Sequence, residues 1–255
     1  MCPNIGGVKK NGENRMKNQK KYYEKLFCEL VNAKEEGLIP RCEQEVKRFD
    51  SYWYENYKDF SFYSHIDYIY DMFYCFNFYS RNIINASAKY FDTISFEPQK
   101  ILDFGAGIGL TTHLIKKKWP NAKVYYYNIG DPQIQLAKKL SEKENLDIVF
   151  LNSEEDIQKE TFDLIFTTEV LEHFEEPLVP FLLLKDSSTN YWVDVNTFSI
   201  KSAGHFDEYI LNGEKVSNQK TRAKFCKEIK KYYELAYRGF NMRPRIWRKK
   251  SENTI

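Results

Sequence analysis

Three groups of residues in this 255-residue chain have types and spacing that could do chemistry. The first is the run ILDFGAGIGL at 101–110, in which Asp103 stands two places before Gly105, Gly107 and Gly109. Glycines at a strand-to-helix turn let backbone come close to a ligand, and the helix start offers free N–H groups. A dinucleotide loop reads G-x-G-x-x-G and cradles a pyrophosphate. Here the spacing is G-x-G-x-G, and a carboxylate at Asp103 would repel a phosphate, so the place suits a ligand with positive charge. The second group is Glu169, Glu172 and His173, spaced E-x-x-E-H. That spacing can set two carboxylates and an imidazole on one face of a helical turn, which invites a metal reading. The plainer reading of His173 is a hydrogen-bonded residue that fixes the loop. The third is His205, in the segment SAGHFDEY (202–209). A histidine titrates near neutral pH and can take a proton from an acceptor atom; the competing reading is a packed histidine.

The elements that must position these groups follow from apolar patterning. From Gln99 onward strands alternate with helices. Strands are predicted at Lys100–Asp103, Lys123–Asn128, Asp147–Leu151, Phe162–Thr167 and Tyr191–Phe198. Helices are predicted at Leu110–Lys118, Pro132–Lys143 (with Asp131 as cap) and Pro177–Lys185. This alternation predicts an α/β fold with a parallel sheet covered by helices on both faces. A helix over Thr221–Tyr237 and a last strand over Pro244–Arg248 complete it. Ahead of the sheet, Tyr22, Tyr23, Leu26, Phe27, Leu30 and Val31 recur at helical spacing. Glu43–Tyr57 reads as a second helix, and the aromatic-rich stretch Ser64–Tyr90 as one long helix or two short ones. The predicted layout is a flexible tail over 1–20, a helical cap over 21–97 and a catalytic domain over 98–255. In an open parallel sheet the ligand lies beyond the carboxyl ends of the strands. Those ends carry Asp103, Asn128, the FLNSEED segment with Ser153, and Glu169.

The glycine run resembles the first motif of the class I S-adenosylmethionine-dependent methyltransferases, whose fold is Rossmann-like. The run FDLIFTTEVLEHFEEP at 162–177 resembles the fourth-strand segment of their small-molecule members, especially the ubiquinone-biosynthesis type. Two matches in the expected order, covering about 99–200, imply S-adenosyl-L-methionine as cofactor. They imply Asp103, Gly105 and Gly107 around its methionine part, Asn128 and Ile129 at its ribose and adenine, Ser153 near the adenine amine, and Glu169 at the mouth. Asn128 departs from the pattern, which usually has an acid there to grip the ribose hydroxyls. The resemblance also implies methyl transfer to an oxygen or nitrogen of a small molecule, with His205 and His173 as the catalytic candidates. A similar E-x-x-E-H with a later histidine occurs in metal-assisted RNA end methyltransferases. A protein or peptide methyltransferase and a non-catalytic cofactor-binding module also fit these residues. No metal is assigned.

Composition narrows the partners. Lys and Arg total 38 against 36 Asp and Glu, a net charge of +2, which gives no reason to expect nucleic acid. No apolar run approaches the roughly 18 residues that would read as a membrane span. The first 21 residues are polar and lack a signal-peptide pattern. Five widely spaced cysteines with no C-x-x-C read as free thiols of a reducing compartment. The expectation is a cytoplasmic enzyme whose partner is a small-molecule acceptor, with a homodimer left open. Tyr63 and Tyr70 are the candidates to line its pocket. Arg243, Arg245, Arg248, Lys249 and Lys250 read as a solvated basic end.

Overall fold

A computed structural model describes residues 6–77, 94, 96–239 and 244–251. Seven strands form one sheet: β1 (Lys100–Phe104), β2 (Lys123–Tyr127), β3 (Ile148–Phe150), β4 (Phe162–Thr168), β5 (Ser188–Val195), β8 (Tyr233–Arg238) and β9 (Arg245–Lys249). Their order is β3-β2-β1-β4-β5-β9-β8. The first five are parallel, and β9 runs antiparallel between β5 and β8. The half with order 3-2-1-4-5 is that of a doubly wound dinucleotide fold, and the inserted antiparallel strand sets this sheet apart. A two-stranded hairpin, β6 (Glu208–Leu211) and β7 (Glu214–Ser217), lies outside the sheet.

Register brings the site together. Phe104 pairs with Tyr127 on one side and Thr167 on the other, and Thr168 pairs with Val195. The carboxyl ends of β1, β2, β4 and β5 therefore share one edge. Alternation along β1 splits its side chains between two cores, as a strand's period of two requires. Ile101 joins a core with Ile115, Val124 and Leu164, while Leu102 and Phe104 join one with Tyr125, Ile165 and Trp192. The helices α4 (Leu110–Lys118), α5 (Asp131–Lys143), α6 (Glu154–Gln158), α7 (Leu178–Ser187) and α8 (Asn218–Ile229) accompany the strands.

Among the described residues three helices precede the sheet: α1 (Gly6–Val31), α2 (Leu38–Glu55) and α3 (Tyr68–Cys75). A short 3-10 turn at Ser61–Ser64 joins the last two. Helix α1 starts at Gly6, not at Lys21 as the apolar pattern suggested. The added turns are rich in Lys, Gln, Glu and Arg, which form helix well without an apolar stripe. Phe27 on α1 stacks on Phe73 of α3 at 4.2 Å, and both are buried in the core beside Ile101. The cap is thus built into the sheet's own core. Burying one such side chain contributes roughly 1.5–3 kcal/mol.

Two other expectations change. The helix read over Thr221–Tyr237 ends at Ile229, and Tyr233–Arg238 is strand β8. The basic end is strand β9, in which Arg248 pairs with Glu234 at 2.6 Å. Asp131 is the first residue of α5, whose N-cap is Gly130, and makes no side-chain cap bond. Of the stretch read as helical to Tyr90, residues 78–93 lie outside the described residues, as do Arg243 and residues 1–5 of the expected tail.

Candidate active site

The loop after β1 is shaped by a close packing contact. Gly105 has φ of +69°, and a Cβ there would overlap Val170 Cγ2. Only glycine allows both that backbone and that approach. The amides of Gly105 and Ala106 both donate to the Tyr127 carbonyl, at 2.9 and 3.0 Å. Tyr126 Oη donates to Gly107 O at 2.6 Å. Strand β2 therefore holds the loop open at the sheet edge.

Asp103 is 1% exposed, and Thr112 Oγ1 donates to its Oδ2 at 2.7 Å. Burial pushes its carboxyl up to about 7, against one lowering bond from Thr112. Asp103, Gly105, Gly107 and Glu169 line a small cavity of about 80 Å³. Asn128 Oδ1 accepts from Gly107 N at 3.1 Å, so its amide oxygen is tied to the loop. Ile129 beside it is 70% exposed on the rim of the main cavity. Ser153 lines neither cavity: its Oγ caps α6 by accepting from Asp156 N at 3.3 Å.

Glu169 follows β4 in the left-handed region, φ 51°, a conformation uncommon away from glycine. Its N–H donates to Val195 O at 3.0 Å, which fixes it between the ends of β4 and β5. Glu172 is fully buried, and its Oε1 accepts from Thr197 N at 2.6 Å. Its Oε2 has no hydrogen-bond partner of ordinary donor type among the described residues. Burial, and then the charge of Glu172 within bonding distance, push the Glu169 carboxyl well above the usual range. The E-x-x-E-H run is a single 3-10 turn, Leu171–His173, with Glu169 outside it, rather than one face of an α-helix.

His173 and His205 meet edge to face with ring centres 4.8 Å apart. Burial, and then His205, drive His173 well below the usual imidazole range, so it is neutral. His205 Nδ1 lies 2.9 Å from Ile200 O. A carbonyl can only accept, so Nδ1 donates its N–H, and in the neutral ring the lone pair is on Nε2. Gly204, at φ +79°, admits this packing, since a Cβ there would overlap His173 Nδ1. Trp53 on α2 donates its Nε1 to His205 O at 2.9 Å.

The main cavity measures about 710 Å³. Its floor holds Gly105, Asn128, Ile129, Glu169, His173 and His205. Its roof comes from the cap: Asp50 of α2, Phe60, Tyr63, and Tyr68, Asp71 and Met72 of α3. Tyr63 lines it as expected; Tyr70 does not, being 6% exposed and covered by the Arg41 guanidinium at 4.2 Å. Asp50, Asp71 and Trp53 are not marked by sequence. The partners of Asp50 and Trp53 lie about 150 residues along the chain, and no local spacing picks out any of the three.

The strand order, the loop and the cavity at the strand ends define a Rossmann-like domain with a ligand-sized cavity at the carboxyl edge of its sheet. Residues 102–185 match the family model described as a methyltransferase domain. The malonyl-[acyl-carrier protein] O-methyltransferase of Acetivibrio thermocellus is 28% identical over 76 residues, 30% of this chain and 27% of that protein. The chain thus aligns with about a quarter of the curated relative's length. Among solved structures, the 16S rRNA methylase ArmA is similar at TM-score 0.48 and 21% identity, covering 68% of this chain and 85% of that one. TehB from Haemophilus influenzae is similar at 0.48 and 20%, covering 70% and 66%. The plantazolicin methyltransferase BpumL, solved with a monoazolic desmethyl analogue and S-adenosylhomocysteine, gives 0.41 and 22%, covering 62% and 63%. Residues 102–185 are thus similar to a methyltransferase domain.

Proposed function

We propose that this chain transfers a methyl group from S-adenosylmethionine to an oxygen or nitrogen of a small molecule. The observation that carries the reading is one cavity that has Gly105 and Asn128 at one side and His205 under an aromatic roof at the other. A roof built from α2 and α3 suits an acceptor that enters the cavity whole. The residues fit the cofactor's chemistry: the backbone at Gly105 and Gly107 is bare, and the nearby carboxylate of Asp103 favours cations. Asp103, Gly105 and Gly107 would hold the methionine part, and Asn128 and Ile129 the ribose and adenine. Bound there, the cofactor supplies an already activated methyl on a sulfonium.

The protein's share of the work is then alignment and proton removal. His205 Nε2, the lone-pair nitrogen of the neutral ring whose Nδ1–H donates to Ile200 O, takes the acceptor proton. Neutral His173 packs against the His205 ring and fixes its plane. The cap over 21–97 would select the acceptor and the sheet domain over 98–255 would hold the donor. The free thiols of Cys28, Cys42, Cys75 and Cys226 fit work in the cytoplasm. No described helix is long and apolar enough to cross a membrane.

The test is incubation of the full chain with methyl-labelled cofactor and cell extract, split into small-molecule, RNA and protein fractions. Label in the small-molecule fraction is expected. Label confined to RNA or protein would replace the acceptor class, and no label with no cofactor binding would leave a fold without the activity.

A further inference from the structure

The roof of the main cavity carries an acid with no base beside it among the described residues. Asp71 on α3 is 4% exposed and lines the cavity. Among those residues its side chain accepts a hydrogen bond from Cys75 Sγ at 3.5 Å, a weak donor. The charges that act on it are those of Asp50 and Glu45, both negative. Asp50, also on the cavity wall, is held by Ala203 N at 2.7 Å and Ser202 Oγ at 3.2 Å. The two lysines on the wall are committed elsewhere. Lys58 pairs with Glu175 at 2.6 Å and Lys201 with Asp207 at 3.6 Å. Burial raises Asp71 to about 7, as expected of a carboxyl that lacks a cationic partner. The rings of Phe60, Tyr63, Tyr68 and Phe206, whose faces attract cations, line the same cavity.

We propose that the acceptor is a small molecule with a cationic amine on an aromatic or apolar body, and that Asp71 anchors its positive charge. This rests on the methyltransferase reading. A buried carboxylate is costly when alone and is stabilised strongly by a hydrogen-bonded cation. The aromatic walls add a surface for the body of the molecule. An anionic acceptor would meet Asp50 and Asp71 across the same cavity and be repelled.

The test uses calorimetry on the full chain, first with S-adenosylhomocysteine alone. Failure of that titration sinks the methyltransferase reading itself. The loaded protein is then titrated with 2-phenylethylamine, 2-phenylethanol and phenylacetate, which share a body and differ in charge. The amine is expected to bind tightest, by about tenfold over the alcohol, the difference between a charged and a neutral hydrogen bond. Asp71→Asn should shrink that gap to about twofold and leave alcohol affinity unchanged. Equal or tighter binding of the alcohol or the acid, or no amine binding, overturns the inference. So does an unchanged gap in Asp71→Asn accompanied by weaker S-adenosylmethionine but not S-adenosylhomocysteine binding, which would give Asp71 to the donor sulfonium. Should Asp71→Asn fail to fold, the wild-type panel decides alone.

Discussion

A single carbonyl, that of Ile200, decides which nitrogen of His205 can act as a base. His205→Gln keeps a polar side chain there but cannot take up a proton. We expect kcat to fall by about 10²–10⁴-fold with S-adenosylhomocysteine affinity unchanged, measured by steady-state turnover and calorimetry. Asn128 is tied to Gly107 N, so Asn128→Asp keeps the acceptor and strengthens it. Calorimetry should show cofactor affinity kept or raised, whereas Asn128→Ala should weaken it by about tenfold. Asp103 makes stability depend on pH. Its folded value of about 7 lies above the unfolded value of roughly 3.9, so the native state binds more protons between them. That stabilising contribution is complete below about pH 4 and is lost as pH rises through 7. Asp103→Asn should flatten the fall in melting temperature between pH 5 and 8, though not fully, because Asp71 and Glu169 are raised too. At this scale the sequence was informative where chemistry is local. Asp103, Gly105 and Glu169 fall at strand ends that can be read by eye. Ser153 did not reach the site, because a serine before three acids caps its own helix more readily than it binds a ligand.

The loop after β1 and the turn after β4 are one packing unit, joined where Val170 fills the space left by Gly105. Gly105→Ala should lower stability by about 1–3 kcal/mol in chemical denaturation and abolish cofactor binding. Val170→Ala added to it should recover part of the stability but not the strain of the positive φ. On the cap side, Tyr23 Oη lies 2.8 Å from His113 Nδ1, and both are buried. The strands β1 to β5 were legible because fully buried strands read as short apolar runs. The β6–β7 hairpin was missed although Asn212-Gly213, both at positive φ, is a strong hairpin signal. Strand β8 was missed because helical spacing runs on through Lys230–Tyr233, and only pairing with β9 makes the last part extended.

Across the whole molecule, the cavity is shared between a sheet edge that sequence could locate and a roof that it could not. Asp50, Asp71 and Tyr68 look alike in sequence to the acids and aromatics around them, and only tertiary packing puts them on the cavity wall. Ligand that binds the folded state alone should stabilise both halves together. At a hundredfold over its dissociation constant, S-adenosylhomocysteine should add about 2.7 kcal/mol, a rise of roughly 5–10 °C in a single thermal transition. Two transitions, with one unmoved, would show that cap and sheet melt apart.

The hydrogen bond from Trp53 to the His205 carbonyl joins residues 152 positions apart. During synthesis α2 emerges long before the segment it must meet, and its buried face waits without a partner. Closing so long a loop is slow. The basic nitrogen of His205 therefore finds its place late, and a nascent chain would hold every strand of the donor side before it could act on anything.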